Sequence, residues 1–483
     1  MDMSPADRCR HIREKLKEDG VYNQWLVSPE PFLIGLDDFR FIERLGAVLY
    51  SFYKASNKIY YESINGRQPA WIARYLNQGK PQSLIEYASM NRMKGLLPGV
   101  IRPDIILTES GMVATELDSV PGGIGITGSL NRAYSSHGYS VVGETPMSRE
   151  LTKGGFSSEK DGMLKGFMNM VRGIARSHDP VIAIIVSDES MDYRPEMEWL
   201  AGAIRESGGR AYTIKPQDVI FTEEGLYFDW SDEKIPLNRL KIDVVYRFFE
   251  LFDLKNIPKS ELIMYSAKKK DVAVTPPFKP FLEEKMLYAL FHHPLLEAYW
   301  VHELGQDVFN TLSSLFPKTW ILDSTEMPPY GIIPSLRVGN KKVVSAWKDL
   351  ADSTQKERQF VIKPSGFSEL AWGSRGVTIG EDVSKEDWGA VIEKALNSFD
   401  RTPYILQEFH KGRRVQLGAQ VGTEFNSVPD RLAKMTGRVR LCPYYFVEGE
   451  EVKLRGIMAT ICPLDKKLIH GMKDAVITAV GIN

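Results

Sequence analysis

The chain is poor in the residues that usually announce a metal or redox site. Only three cysteines occur in 483 residues, Cys9, Cys442 and Cys462, and none has metal-ligand spacing. A reducing compartment, the cytoplasm, is the expectation. The eight histidines include one adjacent pair, His292-His293, but no H-E-x-x-H. The P-loop, C-x-x-C and G-x-S-x-G patterns are also missing, which removes three common routes to nucleotide, zinc and acyl-transfer chemistry. No apolar run approaches the roughly 18 residues of a membrane span. The opening MDMSPADRCRHIREKLKEDG is charged at helical spacing and has no apolar signal core. Net charge is −1, which leaves no overall field for nucleic acid or an anionic membrane. No internal repeat or low-complexity tract stands out.

What is present is an ordinary globular composition over a length that calls for two or three domains. The most informative stretch is RPDIILTESGMVATELDSVPGGIGITG, from Arg102 to Gly128. Ile105–Leu107 and Met112-Val113 are two apolar runs, and Glu109-Ser110-Gly111 between them predicts a three-residue hairpin loop with Gly in the left-handed position. That loop puts Asp104 opposite Glu116 and Arg102 opposite Asp118. Strand alternation then gathers three carboxylates and one guanidinium on one face. Like charges across a ladder destabilise it. A hard divalent cation such as Mg²⁺, which takes oxygen ligands and bridges carboxylates to phosphates, is the chemistry that would justify them. A solvated outer face is the bland alternative.

Gly123-Ile-Gly125-Ile-Thr-Gly128 follows the hairpin and matches the dinucleotide fingerprint, with Tyr139–Gly143 as a second strand and Glu144 as the ribose carboxylate. An NAD(P)-dependent oxidoreductase is therefore one reading. Against it, the preceding strand carries Glu116 and Asp118, the helix candidate Leu130–Ser136 is short, and a tight turn leaves no crossover. The glycines otherwise let backbone N–H groups approach a phosphate or a substrate carboxylate.

Elsewhere, apolar spacing predicts helices over Arg8–Glu18, Asp38–Ala55, Ser83–Leu96, Met163–Ser177, Arg194–Glu206 and Lys385–Asn397. VIAIIVS (181–187), RAYTIK (210–215) and LKIDVVYRFF (240–249) predict a small open α/β unit with parallel strands. RQFVIKP ends in Lys363, a point charge suited to phosphates, before a Gly/Ser-rich flap, GFSELAWGSRGV (366–377). Gln407-Glu408 closes the strand TPYILQEF and would offer backbone groups to adenine and a carboxylate to ribose. VRLCPYYFV and IMATICP predict later strands. The divisions expected are 1–100, mainly helical; 101–179, the hairpin and Gly-rich loop; 180–271, a Rossmann-like α/β unit; and 272–483, an α+β lobe.

In order and spacing these features resemble the circularly permuted ATP-grasp enzymes, nearest the glutathionylspermidine synthase type and more distantly the glutathione synthetases. The motifs that carry the resemblance are Arg102-Pro-Asp104, Glu116-Leu-Asp118, Lys285 in LEEKMLYAL and Lys363 in FVIKPSGF. It implies an ATP- and Mg²⁺-dependent carboxylate–amine ligase acting through an acyl phosphate, on an α+β ATP-grasp fold with a Rossmann-like subdomain and a helical N-terminal region. Asp104, Glu116, Asp118 and Glu369 would be the metal ligands. Lys285, Lys363, Ser365, Gly366, Gln407 and Glu408 would hold ATP, and Arg102 would face the transferred phosphoryl group. Ser119, Gly122 and Gly123 would line the substrate end, with Arg438 and Arg440 as carboxylate anchors. The partners implied are small carboxylate and amine substrates, with neither nucleic acid nor membrane. Asp118 stands where the family has Asn, and Phe367, Leu370 and Trp372 interrupt its glycine run. A non-catalytic, regulatory ATP-binding protein of the same fold is the second class.

Overall fold

The largest sheet joins strands from opposite ends of the sequence. Phe32–Ile34, Val476–Ile482, Glu451–Pro463, Arg431–Glu448, Val100–Thr108 and Gly111–Asp118 lie side by side, and Arg414–Val421 also pairs with Arg431–Glu448. The computed structural model describes residues 3–144, 160–175, 177–231, 237–325, 332–339, 342–371, 373, 375–421, 431–471 and 474–483. Trp372 and Ser374 of the expected flap, Arg176 of the expected helix 163–177 and residues 145–159 lie outside them.

This sheet is covered on both faces, and side-chain alternation shows how. Val439, Leu441 and Tyr445 point into one core with Leu45, Leu49 and Phe52 of the helix Leu36–Ile64. Cys442, Tyr444 and Phe446 point into a second core with residues of the helices Ile124–Ser136 and Gly162–Ile174. The first helix outruns the expected Asp38–Ala55 because Ile59, Tyr60 and Tyr61 prolong its buried stripe. It starts with Asp37 and Asp38 in its first turn, where carboxylates suit the helix dipole. Gly46 lets it approach closely: a Cβ there would lie 2.5 Å from the Tyr445 ring.

A second sheet is wholly parallel, in the order Ala273–Thr275, Val244–Phe248, Val181–Val186, Arg210–Ile214. Every residue of Val181–Val186 is buried, as a strand covered on both faces requires. The strand expected over 240–249 is broken at Ile242-Asp243, where the Asp243 carboxylate accepts from Val181 N at 2.8 Å. A third sheet is antiparallel, in the order Thr319–Leu322, Tyr404–Glu408, Phe360–Pro364, Thr378–Ile379. The architecture is mixed α+β. Among the described residues no helix is long and apolar enough to cross a membrane, and all three cysteines are buried thiols.

Candidate active site

The hairpin pairs Arg102 with Asp118 and Asp104 with Glu116, in the register expected. It reaches that register by a different route. Thr108 pairs with Gly111, so the loop has only two residues, and the extra residue is Thr115, at a bulge beside Ile105. A bulge leaves its residue outside the ladder. Here it leaves the Thr115 carbonyl open to the Lys363 ammonium, 3.0 Å away.

Arg102 and Arg440 organise the charges on this face. Arg102 reaches Asp104 at 3.2 Å and Asp118 at 3.1 Å, and donates to Gly122 O at 3.0 Å. Arg440 reaches the other oxygen of Asp104 at 2.7 Å, and the Cys442 thiol donates to Asp104 at 3.5 Å. Burial pushes the Asp104 carboxyl up, but Arg440 and Arg102 outweigh it and hold the group below its ordinary range. Asp118 moves the other way: burial raises it, Glu116 and Asp104 add repulsion, and Arg102 opposes only in part.

Two lysines meet the same strand. Lys285, at the N-cap of the short helix Met286–Phe291, contacts Glu116 at 2.7 Å and donates to Ala371 O at 3.2 Å. Burial pulls Lys285 down, yet Glu116 more than offsets it and the group stays above its ordinary value. Lys363 lies at the end of Phe360–Pro364, and its burial lowers it to about 8.

Beside these groups a cleft open to solvent is lined by Glu116, Asp118, Ser119, Lys285, Gly366 and Phe367. Glu250 and Glu283 also face it. Burial, then Glu283 and Asp118, push Glu250 up; burial pushes Glu283 up against its partner Arg247. Sequence reasoning missed both glutamates. Glu250 had a signal, because it follows the parallel strand Val244–Phe248 at its carboxyl end, where open α/β sheets place ligands.

Several expected roles are corrected. The four-carboxylate magnesium set is not assembled: Asp104 is held between two arginines, and Glu369 is exposed in a 3-10 turn off the cleft lining. Among the described residues no three His, Cys, Asp or Glu side chains stand in metal-binding geometry. The oxygen donors on the cleft nonetheless suit a hard cation in kind, and their mutual repulsion is what a cation would relieve. Ser365 does not face a ligand; it is fully buried and accepts from Lys285 N at 2.7 Å and Met286 N at 2.9 Å. Gln407 and Glu408 do not form an open hinge. Their strand is central in its sheet, so Glu408 N already donates to Lys318 O and Phe409 N to Gln359 O. The Gln407 amide is buried on Thr319 at 3.0 Å, and the Glu408 carboxylate is 3.8 Å from His410. Arg438 is no carboxylate anchor, because its guanidinium donates to Gly412 O at 3.1 Å and Leu464 O at 2.5 Å. Arg440 serves Asp104 instead.

The glycine turn is filled from within the chain. Gly123, with φ +91°, caps the helix Ile124–Ser136. Its N–H and that of Gly125 donate to the Glu196 carboxylate at 2.8 and 3.1 Å. Burial pushes Glu196 up to about 7 despite those bonds. A Cβ on Gly125 would lie 2.2 Å from Glu196 O, and one on Gly128 would lie 2.6 Å from Trp199. The fingerprint therefore serves helix packing and the acceptor in its turn is Glu196, which removes the dinucleotide reading. The helix is also longer than expected, so the short-helix argument against that reading does not hold. The antiparallel hairpin and Glu196 replace it. Ser119 lines the cleft, while Gly122 O is taken by Arg102 and by the Tyr444 hydroxyl at 2.8 Å.

Neither a protein-family model nor a curated protein sequence matches the chain. Among solved structures it is similar to a glutathione synthetase-like effector from Globodera pallida in its apo form, with a TM-score of 0.54 and 10% identity over 100% of this chain and 98% of that one. The chain has a glutathione synthetase-like fold. Weaker similarity extends to a putative gamma-glutamylcysteine synthetase from Methylobacillus flagellatus, with a TM-score of 0.39 and 11% identity over 86% of this chain and 84% of that one. The similarity to the glutathione synthetase-like effector runs nearly end to end, so it takes in the early helical region as well. The resemblance read from the Arg102–Asp118 motifs and the two lysines is a resemblance of fold, at an identity that says nothing about activity.

Proposed function

We propose that the chain is an ATP- and Mg²⁺-dependent carboxylate–amine ligase. A substrate carboxylate oxygen attacks the γ-phosphorus of ATP and ADP leaves. An amine nitrogen then attacks the acyl carbon of the acyl phosphate, the C–O bond to phosphate breaks, and the amine proton passes to solvent. No covalent enzyme nucleophile is needed, so catalysis is positioning and charge neutralisation.

One observation carries the reading. Lys285 and Lys363 reach adjacent residues of one bulged strand, Glu116 and Thr115, at 2.7 and 3.0 Å. Two ammonium groups beside an acidic hairpin match a magnesium–triphosphate, with cations for the phosphates and carboxylates for the metal. Glu116 and Asp118 would hold the metal, which supplies charge neutralisation across the phosphates when bound. Lys285 would exchange Glu116 for phosphate oxygens. Arg102 would turn toward the transferred phosphoryl group, with Ser119 at the substrate end.

A screen of amino acids, short peptides and polyamines for ADP and phosphate release with Mg–ATP tests the proposal. The clamped Asp104 favours the second reading, a regulatory ATP-binding protein. Mg–ATP that raises the melting temperature without any phosphate release would establish that reading and end the ligase assignment.

A further inference from the structure

Lys285 of the cleft and Lys363 beside it are joined by a buried array whose origin is the N-terminal helical region. Lys80, in the loop between the helices Ala70–Asn77 and Gln82–Ser89, forms an ion pair with Glu284, and the two side chains are 0% and 1% exposed. The other oxygen of Glu284 accepts from the Ser365 hydroxyl. Ser365 in turn accepts from Lys285 N and Met286 N, which fixes the segment carrying Lys285 against the strand end carrying Lys363. The fit is close, since a Cβ on Gly366 would lie 2.8 Å from Glu283 O and 2.9 Å from the Glu284 carboxyl carbon. Lys80 also stands 5.6 Å from the centre of the Phe367 ring. Phe367 has φ +29°, which a bulky residue rarely adopts, and it lines the cleft.

A fully buried ion pair adds little net stability compared with apolar side chains of the same volume. Its value here is geometric. We infer that Lys80 is a positioning residue for the phosphate end of the nucleotide site, acting through Glu284 and Ser365 to set the separation of Lys285 and Lys363, and through Phe367 to seat the start of the flap. This rests on the nucleotide reading above. It makes the N-terminal region part of the site, although that region contributes no side chain to the cleft lining.

The test compares binding of Mg–ATP and of AMP, by calorimetry on the full chain, for wild type, Lys80→Met and the double variant Lys80→Met/Glu284→Gln. The double variant removes both buried charges and keeps an acceptor for Ser365, so it carries the test if the single variant does not fold. The expected result is a folded protein whose Mg–ATP affinity falls about tenfold while AMP affinity stays within about twofold, because AMP lacks the β- and γ-phosphates that the displaced lysines would hold. A general weakening of the fold would lower both together. Equal loss of the two ligands, loss of neither, or failure of both variants to fold overturns the role given to Lys80. Wild type that binds no Mg–ATP refutes the nucleotide reading itself, a result distinct from a binding-competent wild type with unaffected variants.

Discussion

Replacing Glu196 with Gln should change how stability depends on pH. Glu196 is buried at the mouth of the helix Ile124–Ser136 and accepts from Gly123 N and Gly125 N. Its folded-state pKa is about 7 against an ordinary 4.5. Between those values the folded chain holds a proton that the unfolded chain has released, so stability falls as pH rises through this window. Below it both states are protonated and nothing is lost. At about 1.4 kcal/mol per pH unit, the gap from 4.5 to about 7 amounts to about 3 kcal/mol. Gln keeps an oxygen for the two N–H groups and cannot ionise. Denaturant unfolding of both proteins from pH 4.5 to above pH 7 should therefore show the variant gaining about 3 kcal/mol on wild type across the window. A difference that stays flat with pH would mean that Glu196 ionises normally, and the account of the glycine turn would fail.

Three further outcomes follow from the same contacts. Glu116→Ala should remove Mg²⁺-dependent turnover and free Lys285 from its 2.7 Å ion pair while the far-ultraviolet spectrum is unchanged; retained activity would move the metal elsewhere. Lys363→Met should weaken nucleotide binding yet raise stability at pH 7, because burial lowers the wild-type ammonium to about 8, so at pH 7 the folded chain buries a charge that the unfolded chain keeps in water. For wild type the same sign means stability that rises between about 8 and 10.5, and a denaturant series without that rise would exclude the assignment. Gly125→Ala should destabilise by about 2 kcal/mol or more, since its Cβ would lie 2.2 Å from the Glu196 carbonyl; an unchanged melting temperature would contradict the close helix contact.

What could be read from the sequence was local. The Arg102–Asp118 and Asp104–Glu116 pairs follow from alternation and one turn, and the two-residue loop with its bulge at Thr115 gave the same offset as the loop expected. Lys363 at a strand end was legible because the apolar run and the flap are contiguous. The remainder depended on contacts distant in sequence. Arg440 meets Asp104 across 336 positions and Lys80 meets Glu284 across 204, so spacing offered no hint of either. Glu196 could not be seen filling the glycine turn because it arrives on another helix. Gln407 and Glu408 looked like an open hinge because a sequence does not reveal whether a strand is central or at an edge. Arg438 and Arg440 share a strand face, yet backbone carbonyls claim one and a carboxylate the other.

The central claim is that the acidic hairpin and two distant ammonium groups serve one triphosphate. Calorimetric titration of the full chain with ATP, in the presence and absence of Mg²⁺, tests it most directly. The account expects single-site binding that requires Mg²⁺ and is lost in Lys285→Met. No binding, or binding indifferent to both the metal and Lys285, would contradict it.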